Sequence, residues 1–168
     1  MAKSKAKKSQ LKLLFLCAEI LLAVVALVLL MATPGVFYQG AISGTKDVAG
    51  IKVIFGGDNL NLTWSGLLAF IFIAVAIVLL MVLCALEVAK KKFALANLCK
   101  IVIAGLLVAA GVFVFFTVPA FTGANGDYSV SIGGNALSGY GLGAGWIIGA
   151  IVAIAAGAVA GVEVALDK

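Results

Sequence analysis

Apolar residues fill four long blocks of the chain, roughly 13 to 33, 64 to 88, 95 to 118 and 142 to 165, and polar residues gather between them. About 20 consecutive apolar residues carry a helix through bilayer hydrocarbon, because a helix rises only about 1.5 Å per residue. The pattern predicts an all-α integral membrane protein: a four-helix transmembrane bundle forming a single membrane domain over 1–168. The outer loops over 34–63 and 119–141, with a short hinge between them, are too short for a separate soluble domain.

The outer loops carry a pattern of their own. Ala49 to Phe55 and Asp127 to Ile132 are β-branched and aromatic runs bounded by glycine, with turn signals at Gly56-Gly57-Asp58-Asn59 and Gly133-Gly134-Asn135. Short β-strands are expected there. A single strand cannot hold alone, so the strands should pair with each other across the two loops, as a small sheet capping the bundle, or against a partner. Pro34 and Pro119 follow the first and third blocks, where proline cannot continue a helix.

The two halves of the chain show the same landmarks in the same order. Leu16-Cys17, Pro34, Val53 to Asn59, Trp64 and Glu87 in the first answer to Leu98-Cys99, Pro119, Val130 to Asn135, Trp146 and Glu163 in the second. Each half holds two spans starting on one side, so the reading is an internal repeat of two parallel-repeat hairpins about an axis along the membrane normal.

Composition agrees, with 64% hydrophobic and 11% charged residues among 168. Such a chain cannot clothe a soluble globule in a polar skin. Its net charge of +5 would suggest nucleic acid on a soluble surface, but the distribution argues otherwise. Ten of the 12 lysines lie before the first span, in the Lys90 to Lys92 hinge, at Lys100 or at Lys168, and only Lys46 and Lys52 lie in an outer loop. The positive-inside bias then predicts a multi-pass protein of the cell membrane, both termini cytoplasmic and both long loops extracellular. The bilayer is the partner this implies, and nucleic acid is not. The opening basic stretch and apolar run look like a signal peptide, yet the run is long and Leu30-Met31-Ala32 lacks a small residue at its first position, so the segment is read as retained.

Candidate chemistry is sparse. In the fourth span Gly145, Gly149, Ala153, Gly157 and Gly161 recur every fourth residue, a helix-packing face of small side chains. Ala104, Gly105 and Ala109 offer a complementary patch on the third span; an oligomer interface and a pore lining are the other uses such a face could serve. Ionisable residues inside spans are functional candidates, and here they are Glu19, Glu87, Lys100 and Glu163, all towards the cytoplasmic ends. A Glu19 to Lys100 pair would neutralise both charges, while Glu87 and Glu163 lie near enough to the boundary to stay hydrated. Trp64 and Trp146, with Phe37, Tyr38 and Tyr140, are expected as interfacial anchors. Cys17, Cys84 and Cys99 fall near cytoplasmic helix ends and read as apolar filler, with acylation or thiol sensing as alternatives.

Three further patterns carry little. The glycine-rich stretch 133–145 lacks the Gly-Lys-Ser/Thr ending of a phosphate loop. Asp47, Asp58, Asp127, Asn59 and Asn125 do not form an alternating calcium loop. Asn61-Leu62-Thr63 fits a glycosylation acceptor but abuts Trp64 at the membrane. No cofactor or metal is expected.

Two spans, a longer strand-bearing loop, a short turn and two more spans with a shorter loop resemble the layout of claudins and other tetraspan proteins. The claudin signature, Gly-Leu-Trp followed by two loop cysteines, is missing, so the resemblance implies topology and no site residue. The leading functional expectation is a structural or scaffold subunit within a larger or oligomeric membrane assembly, its partners being copies of itself or other membrane subunits. The alternative is a small channel or transporter subunit with cation-interacting glutamates at the cytoplasmic side. An enzyme would need convergent nucleophiles, bases or ligands, which these scattered polar residues do not supply.

Overall fold

The computed structural model describes residues 2–40, 44–57, 59–91, 93–125, 131–132, 135–136 and 139–166. Helices α1 (Ala2–Ala32), α3 (Trp64–Val88), α4 (Ala96–Phe115) and α6 (Ala144–Leu166) form the bundle. Their apolar stretches, Gln10–Ala32, Trp64–Val88, Ala96–Phe115 and Ala144–Ala165, are each long and apolar enough to cross a membrane. These are the four blocks read from the sequence, with α1 running back through the basic residues to Ala2.

Each helix buries a seam spaced alternately three and four residues apart. The seams run Leu16, Glu19, Ala23, Ala26, Leu30 on α1; Gly66, Ala69, Ile73, Ala76, Leu80, Leu83 on α3; Lys100, Ile103, Leu107, Ala110, Val114 on α4; and Trp146, Gly149, Ala153, Ala156, Ala160, Glu163 on α6. That alternation averages 3.5 residues, the repeat that keeps a seam facing its neighbours in a left-handed bundle. Alanine and glycine are frequent, above all on α6, because, with lipid on the outside, close van der Waals approach holds helices together more than apolar burial does.

At one end the chain builds a three-stranded antiparallel sheet in the order β2-β1-β5, from β1 (Pro34–Gly40), β2 (Gly44–Ala49) and β5 (Gly139–Leu142). The second loop also holds the two-residue strands β3 (Ser131–Ile132) and β4 (Asn135–Ala136), which pair with each other. Strands from the two loops do meet, with Tyr38 opposite Tyr140 and their rings 5.1 Å apart, but they are not the runs the sequence pointed to. Ile51 to Phe55, read as a strand, belongs to helix α2 (Gly50–Phe55). Gly50, Val53 and Ile54 are buried, the i, i+3, i+4 face of a helix, so the 3.6-residue period overrode β-propensity once that face met the bundle. Of the run Asp127 to Ile132, residues 127–130 lie outside the described residues, as do Gly133 and Gly134.

Pro119 does not simply follow the third span but sits in the first turn of helix α5 (Thr117–Asn125). Its ring would clash with the carbonyl four residues back, that of Phe115, and α4 ends at that residue. In the first turn of α5 the missing N–H has no intrahelical acceptor to lose. The shared landmarks of the two halves fall in different elements: Val53 to Phe55 in a helix, Ser131 and Ile132 in a strand.

Candidate functional site

The sheet end is locked to the bundle by Trp146. Far from anchoring at an interface, its side chain is fully buried. The indole N–H donates 2.9 Å to the carbonyl of Leu30, one of the last four in α1 and so without an intrahelical acceptor role. Room for the ring comes from three glycines on three elements. A Cβ on Gly35 would lie 2.9 Å from the indole, on Gly50 2.8 Å and on Gly66 3.2 Å. Backbone bonds complete the joint, Gly143 N–H to Gly35 and Gly50 N–H to Thr33, both at 2.9 Å. Trp64, by contrast, is half exposed and edge-on to Phe113. Phe37 packs over Gly141, and no single residue in the sequence signals the indole cradle because its walls are distant glycines.

Asn61 and Asn125, whose sequence patterns pointed to no firm role, bind each other's segments. The Asn61 backbone N–H donates 2.6 Å to Asn125 Oδ1, and Asn61 Nδ2 donates 2.8 Å to the Ala124 carbonyl. Together they clamp the first loop to α5.

The small residues of α6 do not make one groove. Gly145 abuts Thr33, and a Cβ on Gly149 would lie 2.9 Å from Leu30 Cδ1, both on the α1 side. Ala153 is buried, and a Cβ on Gly157 would lie 2.9 Å from the Ala104 carbonyl on α4. Gly161 is exposed with open space beside it. Steps of four residues advance about 40° round a helix at 3.6 per turn, so the stripe winds from α1 to α4 and then out of the interior. On α4 the expected patch is only partly at the contact, where Ala104 meets Gly157. Gly105 is exposed, and Gly111 makes the close approach, its Cβ position 2.8 Å from the Ala150 carbonyl.

At the opposite end the seams close on a charged layer: Glu19 of α1, Lys100 of α4 and Glu163 of α6, all buried, beside Leu83 of α3. Lys100 Nζ donates 2.5 Å to Glu163 Oε1, so the pair differs from the Glu19 to Lys100 pair the sequence suggested. Glu163 follows α6 into the core instead of staying hydrated, because position 163 continues the three-four seam. Glu19 lies in electrostatic contact with both, yet among the described residues its two oxygens and Glu163 Oε2 have no hydrogen-bond partner. Glu87 is half-buried nearer the edge.

Below this layer a cavity of about 730 Å³ opens between the end of α3, the start of α4 and the Lys12 to Leu16 stretch of α1. Its charged lining is Lys12, Lys90, Lys91, Lys100, Glu87 and Glu163; Leu16, Leu83, Leu86 and Phe93 supply apolar wall. Lys90 takes a left-handed φ of 53°, just past α3. Its N–H bonds Glu87 and that of Lys91 bonds Leu86, each at 3.0 Å, the bonding pattern of a helix terminus that usually places glycine there. Among the described residues no group of three or more His, Cys, Asp or Glu could hold a metal ion, and the three cysteines are free. The chain matches no family model, no curated protein and no solved structure.

Proposed function

We propose that this protein is a non-enzymatic scaffold subunit of a larger or oligomeric membrane assembly, presenting its sheet on the extracellular side for a partner. The observation that carries this reading is the packed joint at Trp146, which ties to the bundle a sheet whose edge strand β2 is, among the described residues, paired on one side only. Thr45, Lys46, Asp47 and Ala49 of the edge strand β2 are exposed, and an exposed strand edge is a template for pairing. The order of landmarks in the sequence supports a duplicated origin for the two hairpins.

The channel reading draws support from the charged layer, but the seams above it argue against a path through one copy. Ala23, Ala26, Leu30, Ile73, Leu80, Leu107 and Ala110 are fully buried there. Glu19 and Glu163 face the interior of their own bundle, so a path between copies would meet Glu87 first. Affinity capture of the full chain from its native membranes, with the mass of the intact complex, tests the proposal. A stoichiometric partner or defined oligomer is expected, lost on Thr45→Glu with Asp47→Lys while thermal stability is kept. A partnerless, monodisperse protein that conducts ions in liposomes would overturn it.

A further inference from the structure

We propose that the cavity at the lysine end binds the phosphate of an anionic phospholipid headgroup from the adjoining leaflet. Four lysines face two glutamates around it, leaving a surplus of positive charge, and Lys100 is already committed to Glu163. The charge that remains most exposed is that of Lys90 and Lys91, immediately beyond the last apolar turn of α3 and therefore at headgroup depth. Helix α4 begins at the same cavity with Ala96, and among the described residues no side chain caps its N-terminus, so its positive dipole end adds to the lysine field. Basic pockets between transmembrane helices suit anionic headgroups, and the apolar wall of Leu86 and Phe93 suits the glycerol and upper acyl segments.

The backbone at Lys90 is an independent sign. A non-glycine residue with φ of 53° carries strain that glycine would relieve, and such strain persists where the side chain is needed. Lysine there stands at the rim of the cavity. A soluble anion could satisfy the charges alone, but the half-apolar wall favours a lipid.

The test uses the delipidated full-length protein in neutral detergent, titrated with phosphatidylglycerol or phosphatidylcholine, read by native mass spectrometry and thermal unfolding. Phosphatidylglycerol should remain bound and raise the unfolding temperature; phosphatidylcholine should do neither. Lys90→Gly with Lys91→Ser should weaken that binding by roughly 20- to 30-fold, as expected for two lysines near an anionic surface. The glycine relaxes the backbone, so the lipid-free variant should unfold no earlier than the parent. Lys46→Ser, at the sheet end, should leave binding unchanged. Undiminished binding by the double variant, or an equal loss with Lys46→Ser, would overturn the proposal. So would inorganic phosphate that displaces the lipid and matches its thermal effect, since the site would then serve a free anion.

Discussion

Two carboxylates and one amine share the closing layer of the bundle, and their unequal bonding ranks the substitutions there. Lys100 holds Glu163, while Glu19 has only the field of Lys100 to neutralise it, set against that of Glu163, and no hydrogen bond to lose among the described residues. Lys100→Met would leave two buried carboxylates facing each other without a counter-ion; breaking a buried pair this way costs about 3–5 kcal/mol. A clear fall in unfolding temperature in detergent is expected. Glu19→Gln removes one negative charge from a layer with two, so its unfolding temperature should match or exceed the parent's. If Glu19→Gln were the more damaging change, the bonding described for this layer would be wrong. Trp146 obeys the same logic at the other end. Trp146→Phe keeps most of the ring but strands the buried Leu30 carbonyl, a loss of about 1–3 kcal/mol.

Among the elements, α6 decides how closely the bundle packs, since it meets α1 through Gly149, Thr33 just past α1 through Gly145, and α4 through Gly157. Substituting leucine along it should therefore give a graded result. Gly157→Leu would press a side chain onto the Ala104 carbonyl and Val108, and Gly111→Leu would do the same to Ala150 from the opposing helix. Each should destabilise by at least about 1–3 kcal/mol, the usual effect of overpacking, and broaden the elution profile. Gly161→Leu meets open space and should be silent; equal damage at all three would mean the stripe, not the seam, is the packing face. The four spans were legible from the sequence because length and apolarity alone define them. Their seams were not, because in lipid both faces of a helix are apolar and the usual polar-outside contrast vanishes. Only the ionisable exceptions marked them: Glu19, Lys100 and Glu163 all lie on seam positions, which could have been found by extending a three-four spacing from each charge. Helix α2 was hidden for the opposite reason, its Val-Ile-Phe run having strand propensity that only burial of Gly50, Val53 and Ile54 overrides.

For the molecule as a whole, the two ends differ in chemistry as sharply as in structure. One end gathers Lys12, Lys90, Lys91 and Lys100 around a cavity, and the other carries Lys46 in strand β2 and Lys52 in helix α2. The sequence separated these two groups because charge along the chain is read directly, whereas the indole cradle that joins sheet to bundle depends on Gly35, Gly50 and Gly66 meeting from three elements. Lysines flanking short loops favour the cytoplasmic side during insertion, and the proposed orientation puts the lysine end there. In that orientation the open edge of β2 faces outward and the lysine cavity meets the inner leaflet, the side where anionic lipid would be within reach. The orientation is testable separately from either binding proposal. With the three native cysteines replaced, Lys46→Cys should react with a membrane-impermeant maleimide on intact cells, and Lys91→Cys only after the membrane is opened. The reverse pattern would place the sheet inside. Both the extracellular partner and the inner-leaflet lipid would then have to be sought on the other face of the bilayer.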